Sequence, residues 1–264
     1  MLEEMTWPEA ERALREADVA LVPVGTLEQH GYHLPCGTDT FVAVACAREL
    51  ARRYGKAVVF PAIRYGNSET MMDWPGTATI QSDTLMKLCD DVCDSIARRG
   101  LKKIVFVNGH GGNFWELAVV AKRAQRRTGC IVAAINPWVL AAEEIEKLRE
   151  QPPKGGVHAC EVETSIALAA FELLGKLSLA HMDKAEGVEA RYPSRFVHID
   201  IVGGDSANLS WDMNRDWSPT GAIGNPEKAS LEKGRRILEA FFTNAIELMK
   251  EMDTLVAGRF ICRK

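Results

Sequence analysis

Residues that can bind a metal ion crowd one short stretch of the sequence, Glu28-Gln29-His30-Gly31-Tyr32-His33-Leu34-Pro35-Cys36-Gly37-Thr38-Asp39. In an extended segment, residues i and i+2 point the same way, so Glu28 and His30 can approach one site together. Asp39, at the start of the helix that follows, can close the same site. Imidazole and carboxylate ligands suit zinc, manganese or ferrous iron. A carboxylate that uses both oxygens can bridge two ions about 3.5–4 Å apart, as in two-metal hydrolases.

Each of these residues also has an ordinary structural explanation. Asp39 can cap a helix, and His30 can be a hydrogen-bonded loop histidine. When each residue is considered alone, such a structural role explains it better than a metal site does. Their clustering beyond the end of a strand favours a metal site instead.

A glycine-rich turn, Asn108-Gly109-His110-Gly111-Gly112-Asn113, follows the clearest buried strand. Such a turn between a strand and a helix also describes a phosphate-binding loop. This one lacks the glycine spacing of a dinucleotide-binding fingerprint and has no Gly-Lys-Ser/Thr ending. A histidine between glycines suits a ligand whose backbone must pack close to a metal, so we favour His110 as a ligand over an anion-binding loop.

A third segment with reactive side chains is His158-Ala159-Cys160-Glu161-Val162-Glu163-Thr164-Ser165. His158 and Glu161 lie side by side at a helix start. Glu163 is offset, so it can turn toward metal ions while Glu161 faces substrate. Two alternatives stay open. The glutamates can simply favour a helix N-terminus, and Cys160 can be a nucleophile, although small buried cysteines are common.

These segments belong to an α/β domain, because short runs rich in β-branched residues alternate with longer helical patterns. The pattern predicts strands at 20–24, 58–60, 104–107 and 131–135. It predicts helices at 40–54, 83–99, 115–127, 161–174 and 226–252, with Asp39 as the N-cap of the first. The expected fold class is therefore α/β with a mostly parallel central sheet.

The carboxyl ends of parallel strands share one edge of a sheet, and ligands bind at that edge. Four of the six histidines should gather there although they come from three separate stretches of the chain. The residues expected at this edge are Glu28, His30, His33, His110, His158, Glu161 and Glu163.

Composition limits the remaining possibilities. The chain has 264 residues, 47% of them hydrophobic and 26% charged, which suits one domain with a sizeable core. A net charge of −4 gives no electrostatic footprint for nucleic acid. The apolar runs are too short for a membrane span, and the first residues lack the basic and apolar regions of a secretory signal. The seven cysteines form no CxxC pair, so we expect reduced thiols in a cytoplasmic protein.

One region, about residues 184–225, is weakly periodic and rich in Gly, Asp, Ser and Trp. Its length is unusual for a structureless connection. We interpret it as an elaborated loop or small hairpin that serves function or an oligomer contact.

Taken together, these motifs resemble those of the creatininase family, the creatinine amidohydrolases and their relatives. The blocks that carry the resemblance are Pro23-Val24-Gly25-Thr26-Leu27-Glu28-Gln29-His30-Gly31, His33-Leu34-Pro35, Thr38-Asp39, Pro75-Gly76-Thr77, Asn108-Gly109-His110-Gly111-Gly112-Asn113, His158-Ala159-Cys160-Glu161-Val162-Glu163-Thr164-Ser165, Gly221-Ala222-Ile223-Gly224-Asn225-Pro226 and Glu232-Lys233-Gly234. They spread over most of the chain and are specific in combination.

The resemblance implies a single three-layer α/β/α domain over residues 1–264, a binuclear metal site and often a hexameric assembly. Carried over by position, Glu28 and His110 look like ligands of one ion. His30 looks like a ligand of the other ion, and Asp39 looks like the bridge. The expected cofactors are two divalent ions, zinc with manganese or iron. The expected partners are a small amide substrate and further copies of the chain.

The sequence departs from the creatinine-hydrolysing members at two positions. Those members carry a metal-binding glutamate where this chain has Gly112, and we expect Glu163 to supply the missing ligand. They carry a proton-transferring glutamate where this chain has Val157, so Glu161 is expected to take that work. Both departures argue against creatinine as the substrate. They indicate the Gly-Gly branch, which includes formamide deformylases of pyrimidine intermediates and a peptide-trimming enzyme of cofactor maturation.

We therefore expect an amidohydrolase that cleaves a non-peptide or cyclic C–N amide, such as a formamide, a lactam or a creatinine-like ring, with water activated by two metal ions. His158 is expected to help hold the oxyanion or the leaving nitrogen, and Glu161 to shuttle a proton to that nitrogen. Trp138 and Asn113 are expected to contact substrate, although large aromatics are more often core or interface residues. The other tryptophans considered as pocket residues are Trp74, Trp211 and Trp217.

Three alternatives remain open at this point. A member of the fold that keeps its metal but has lost its chemistry would be a non-catalytic binder of metal and small ligands, a reading motivated by Gly112 and Val157. A peptide-trimming metalloprotease is the second alternative. The third is a metal-free enzyme that binds a phosphate ligand at the glycine-rich turn.

Overall fold

A parallel sheet forms the centre of the molecule. The structure is a computed structural model that describes residues 1–190, 200–202 and 213–255. Within these ranges the sheet has four strands: β1 (Val19–Val24), β2 (Ala57–Val59), β3 (Lys103–Asn108) and β4 (Ile131–Ile135). All three neighbouring pairs are parallel, and the strand order is β2-β1-β3-β4. The two central strands, β1 and β3, are buried along their whole length, as their near-continuous apolar sequences predict.

Helices cover both faces of this sheet. In chain order they are α1 (Trp7–Glu16), α2 (Thr38–Tyr54), α3 (Ser82–Arg98), α4 (Phe114–Thr128), α5 (Pro137–Leu140), α6 (Ala142–Leu148), α7 (Glu161–Leu173) and α8 (Leu231–Glu251). Short 3-10 turns occur between them, including Gly111–Asn113 just before α4 and Pro226–Lys228 before α8.

Alternating side chains of the strands feed two separate cores. Val19 and Leu21 of β1 point into a core shared with α2, α7 and α8. Ala20 and Val22 point to the opposite face, into a core shared with α3 and α4. This alternation follows from the two-residue period of a strand. The prediction of a three-layer α/β/α fold with a mostly parallel sheet is confirmed.

The predicted strands and longer helices agree with the observed ones to within a few residues, with two exceptions at helix starts. The N-cap of α2 is Gly37, so Asp39 lies inside the first turn and the prediction that it caps the helix was wrong. The final helix begins at Leu231 rather than 226, because residues 226–228 form a separate 3-10 turn.

Helix α1 was absent from the prediction. None of its residues is fully buried, and it packs against the core through partly buried residues that include Ala13 and Leu14. The short helices α5 and α6 were missed as well.

The predicted loop or hairpin region at 184–225 falls partly on residues 191–199 and 203–212, which lie outside the described residues together with Trp211. The described remainder contacts the centre of the molecule through Ile223, which forms bridges with His158 and Val188. The six cysteines of the described ranges are free thiols. Across the same ranges, no helix combines the length and apolarity needed to cross a bilayer.

Candidate metal centre

The first turn of α2 lies wedged between the loops that leave β1 and β3, and this wedge brings Asp39 to the sheet edge. The backbone of Gly109 continues the strand pairing by donating to Val24 O at 2.8 Å. A Cβ on Gly109 would lie 2.1 Å from Asp39 O. The residue before His110 must therefore be glycine for the turn to approach α2 so closely.

Among the described residues, two triads of possible metal ligands share Asp39. We call Glu28, Asp39 and His110 the strand-end group, because Glu28 and His110 follow β1 and β3. His110 Nδ1 lies 3.1 Å from Asp39 Oδ2, and His110 Nε2 lies 3.5 Å from Glu28 Oε2. The Glu28 and Asp39 side chains are each 1% exposed, so this group lies well inside the protein.

The second triad, His30, Asp39 and Glu163, is called the helix group, because Glu163 stands in the first turn of α7. His30 Nε2 lies 2.9 Å from Asp39 Oδ1 and 3.9 Å from Glu163 Oε1. Asp39 thus turns one oxygen to each group. A third triad of possible ligands, Glu28, His30 and His158, overlaps both.

Three histidines around the centre are each anchored to a backbone carbonyl. A carbonyl can only accept, so the bonded ring nitrogen carries a hydrogen and the other nitrogen is the one that can bind a metal. The nitrogens that can bind a metal are His30 Nε2, His110 Nδ1 and His158 Nδ1. The acceptors are Glu28 O at 3.0 Å, Asn67 O at 2.8 Å and Gln29 O at 2.7 Å, respectively. Carbonyl anchoring of this kind orients metal-binding imidazoles.

Several polar atoms at the centre are buried without a hydrogen bond. Within the described part of the chain, Glu28 Oε2, His30 Nε2 and Asp39 Oδ2 are in this state. Orphaned buried atoms of this kind cost free energy unless a ligand satisfies them. Nitrogen and carboxylate donors together fit divalent zinc, manganese or iron. The residues present therefore fit divalent metal ions, and Asp39 belongs to two of the possible ligand groups.

Charge at the centre is consistent with a cation. Burial lowers the pKa of a histidine, yet the carboxylates of Asp39, Glu163 and Glu28 together outweigh burial and raise the pKa of His30 to about 10. Burial is likewise outweighed at His110, where the Glu28 and Asp39 carboxylates together with the Asn67 carbonyl raise the pKa to about 9. Burial raises the pKa of Glu163 to about 7. The carboxylates thus hold protons on the histidines, and a metal ion would take the place of those protons.

His158 differs from the other two histidines. Burial, aided by the positive charge of His30, lowers its pKa to about 3. Its Nδ1 lies 3.3 Å from Glu28 Oε1 and 3.8 Å from Glu163 Oε2. Since Nε2 donates to Gln29 O, the nitrogen that faces the centre is an acceptor. The neutral ring therefore has no hydrogen with which to hold an oxyanion, which corrects that part of the predicted role.

Position 112 is too crowded for any side chain. A Cβ on Gly112 would lie 2.5 Å from both His110 Nε2 and Asn67 O. No glutamate can stand there without moving the histidine. Glu163 is the residue that the sequence predicted as the substitute ligand. The structure brings its Oε1 within 3.9 Å of His30 Nε2.

The proton-shuttle prediction for Glu161 does not fit its contacts. Its carboxylate accepts hydrogen bonds from the backbone N–H groups of Glu150 and Gln151 and from Lys233 Nζ. With both oxygens engaged and the residue 1% exposed, Glu161 has a structural role and is not among the possible metal ligands.

The two residues predicted to contact substrate, Asn113 and Trp138, make their contacts inside the protein. Asn113 is fully buried, where its amide nitrogen donates to Gly25 O and its oxygen accepts from Asn67 N. It therefore ties together three of the loops around the centre. Trp138 packs in the core shared with α7 and α8. Both side chains are buried inside the protein, and their contact with substrate stays a prediction.

Two residues of the loop after β2 contribute to the site and were not predicted from the sequence. Asn67 supplies the carbonyl that anchors His110. Ser68 is buried, and its hydroxyl lies 2.8 Å from the hydroxyl of Thr26. Neither residue carries a metal-type side chain, so spacing alone could not reveal them. His33, expected at the same edge, lies with Nε2 2.9 Å from Thr164 Oγ1 and braces α7.

Comparisons with known proteins agree with this geometry. A family model described as creatininase, creatinine amidohydrolase, matches residues 3–249. The 3-dehydro-scyllo-inosose hydrolase of Thermotoga maritima is 28% identical, with 97% of this chain and 84% of the relative covered. The mycofactocin precursor peptide peptidase of Mycolicibacterium smegmatis is 30% identical over 88% of this chain and 84% of the relative. A solved mutant creatininase of "Zn-Zn type" has a TM-score of 0.78, with 25% identity and with 94% and 96% of the two chains covered.

Proposed function

The chain belongs to the creatininase family, and from this membership we propose that it is a metal-dependent hydrolase that cleaves a non-peptide or cyclic C–N amide. Its relatives include an inosose hydrolase and a peptide peptidase, so hydrolysis is the common activity. The relatives are named for different substrates, so their names do not indicate the substrate of this chain. The choice of an amide rests on the family, whose model is described as creatinine amidohydrolase.

One observation carries the metal-dependent part of the proposal. Asp39 turns Oδ1 to His30 at 2.9 Å and Oδ2 to His110 at 3.1 Å. A carboxylate that serves two ligand groups in this way has the arrangement of a bridge between two ions. The Zn-Zn type of the structurally similar creatininase supports the same reading.

In this proposal the strand-end group holds one ion and the helix group holds the other. Divalent ions bound there would supply a hydroxide nucleophile near neutral pH and polarise the substrate carbonyl. His158 would accept a hydrogen bond from the leaving nitrogen at Nδ1, since its own hydrogen bond to Gln29 O fixes the ring with that nitrogen toward the centre. The lowered pKa of His158 keeps the ring neutral for that contact.

A peptide-trimming metalloprotease is the second candidate. It is favoured by the 30% identity to a peptide peptidase and by the turn beside His110. Gly111 and Gly112 are exposed there, and a Cβ on Gly111 would meet nothing within 4 Å. Trp115, 70% exposed at the start of α4, would offer an apolar surface for a longer substrate.

The test combines metal binding with a substrate screen. Metal-free protein is titrated with zinc and with manganese, and the loaded protein is incubated with formamides, lactams, creatinine and short peptides. We expect two ions per chain and product from a formamide or lactam. His110→Ala should lose one ion and turnover, whereas His181→Ala, an exposed histidine outside the ligand groups, should retain both.

Other outcomes overturn the proposal in distinct ways. Full metal occupancy with normal turnover in His110→Ala would remove the metal mechanism. Product from peptides alone would favour the metalloprotease. Melting shifts with ligands but no product would indicate a non-catalytic binder, and an active metal-free enzyme would indicate a phosphate-ligand enzyme.

The assembly and location of the protein stay predictions. A hexamer and a cytoplasmic location are both expected from the sequence and its resemblance. Light scattering on the purified protein would test the hexamer.

A further inference from the structure

A buried ion pair joins the first turns of α7 and α8. Glu161 is the first residue of α7 and is 1% exposed. Lys233 lies in the first turn of α8, and its Nζ is 2.6 Å from Glu161 Oε1. The Lys233 side chain is 17% exposed, so the pair is shielded from most of the solvent. Shielding makes such a pair stronger and makes the loss of one partner costly.

The same carboxylate also holds the loop that precedes α7. Glu150 N donates to both carboxylate oxygens at 3.0 Å, and Gln151 N donates to Oε2 at 2.7 Å. The Gln151 side chain returns the contact, since its oxygen accepts from Glu161 N at 3.3 Å. Residues 150–151 and the start of α7 are therefore fastened to each other in both directions.

Helix α8 approaches α7 closely beside this pair. A Cβ on Gly234 would lie 1.8 Å from Ser165 O, so the residue after Lys233 must be glycine. The Ser165 hydroxyl donates to Glu161 O at 2.7 Å and accepts from Ser230 N at 3.1 Å. The start of α8 is thus docked directly on the first turns of α7.

Two residues of the metal centre flank the docked turn. His158 comes three residues before Glu161, and Glu163 comes two residues after it. Between them, Ala159 has φ 47°, in the left-handed region that disfavours alanine. Its N–H donates to Glu163 Oε2. A strained backbone at this point needs surrounding contacts to maintain it.

We propose that Glu161 and Lys233 are positioning residues that set Glu163 for the helix group. Neither side chain is among the possible metal ligands of the described residues. Together with the backbone of Glu150 and Gln151 they form what we call the α7–α8 clamp. The clamp fixes the turn from which Glu163 reaches His30. This inference rests on the proposed function, because it concerns the ion that the helix group would bind.

The experiment is a manganese titration of the metal-free full-length chain and its Lys233→Met variant by calorimetry. We expect the ion of the helix group, the weaker of the two because Glu163 comes from outside the sheet, to lose affinity about 10–100-fold, the range for outer contacts of metal ligands. The tighter ion of the strand-end group should stay unchanged. Lys233→Arg should recover most of the loss. The matched control is Arg235→Met, which removes an exposed ion pair to Glu172 between the same two helices.

A second readout needs no metal. Hydrogen exchange at the amides of Glu150 and Gln151 should accelerate in Lys233→Met and stay slow in Arg235→Met, because those amides are held by Glu161. If Lys233→Met does not fold, Glu161→Gln, which keeps the side-chain volume, takes its place in both measurements.

The two proposals fail in different ways. Wild-type protein that binds no ion contradicts the proposed function, while the exchange experiment still tests the clamp. Wild-type protein with two ions and a variant with unchanged affinities and unchanged exchange overturns the clamp alone. An equal loss at both sites, or an equal loss in Arg235→Met, would also overturn it, since either result indicates a general structural defect.

Discussion

The strand-end group and the helix group share Asp39, yet the chain builds them by different means. Glu28 and His110 follow the two central strands of the sheet, which are paired over their length and fully buried. Glu163 comes from a helix outside the sheet and is 12% exposed. Its orientation depends on contacts with α8, more than sixty residues further along the chain.

This difference indicates that the two halves of the centre have unequal stability. The strand-end group takes its rigidity from the sheet, whose hydrogen bonds open only with the core. The helix group depends on a loop, a strained alanine and a neighbouring helix. We therefore expect the strand-end group to bind its ion more tightly and the helix group to be the half that perturbation removes first.

The largest effect is expected from the residue that both groups share. Asp39→Ala removes the oxygens that face His30 and His110, so both ions should lose affinity by more than the about 100-fold that outer contacts contribute. Calorimetric titration with zinc and manganese measures this loss. Asp91→Ala, at an exposed pair with Lys87, is the control. Retention of one tight ion in Asp39→Ala would show that Asp39 is not a bridge.

Loss of one ligand of the strand-end group should remove one of the two ions and leave the other bound. Glu28→Gln replaces a fully buried carboxylate by an amide of the same size, so the tighter ion should be lost while the weaker one remains. Turnover should fall with it. Metal content after gel filtration measures the change, with the exposed Glu69→Gln as control. Removal of the weaker ion alone would contradict the assignment of Glu28.

Loss of Glu163 should have the opposite pattern and a smaller effect on total affinity. Glu163→Gln leaves His30 and Asp39 in place, and the helix group should retain its ion only at high metal concentration. The tighter ion should be unaffected. Glu172→Gln, an exposed glutamate on the same helix, serves as control in the same titration. If Glu163→Gln binds two ions normally, Glu163 does not replace the metal-binding glutamate that is absent at Gly112, and another residue supplies that ligand.

The smallest difference between the two groups is expected from pH. A metal ion must displace the proton of His30, whose pKa is raised to about 10, so affinity should fall about tenfold per pH unit below that value. Below pH 7 a second proton competes, because burial raises the pKa of Glu163 to about 7. Protonation neutralises that carboxylate and weakens it as a ligand. Titrations between pH 8 and pH 6 should show the weaker site lost with the steeper slope, and equal slopes at both sites would contradict this.

Much of the centre could be predicted from the sequence because its spacing is local. Glu28 and His30 stand two residues apart beyond a strand, and extended backbone turns such residues the same way. His110 follows an unmistakably buried strand, and parallel strands end at one edge. These rules depend on a few neighbouring residues, so they needed no knowledge of distant contacts.

Residues of α7 could not be assigned in the same way. Glu161 and Glu163 both lie in its first turn, and 3.6 residues per turn place them on different sides of the helix. The helix is buried nearly all round, so no apolar stripe indicates which side faces the centre. Lys233 decides this, because it holds Glu161 away from catalysis and leaves Glu163 toward His30.

The sequence by itself determined the layered fold, the family and the set of metal-type side chains at one edge of the sheet. Only the tertiary structure decided which atoms of those side chains face each other, that position 112 excludes a side chain, and that Trp138 and Asn113 are internal. The physical reason is the range of the interactions. Short segments of sequence determine strand formation and side-chain periodicity, whereas the packing of α8 on α7 depends on residues far apart in the chain.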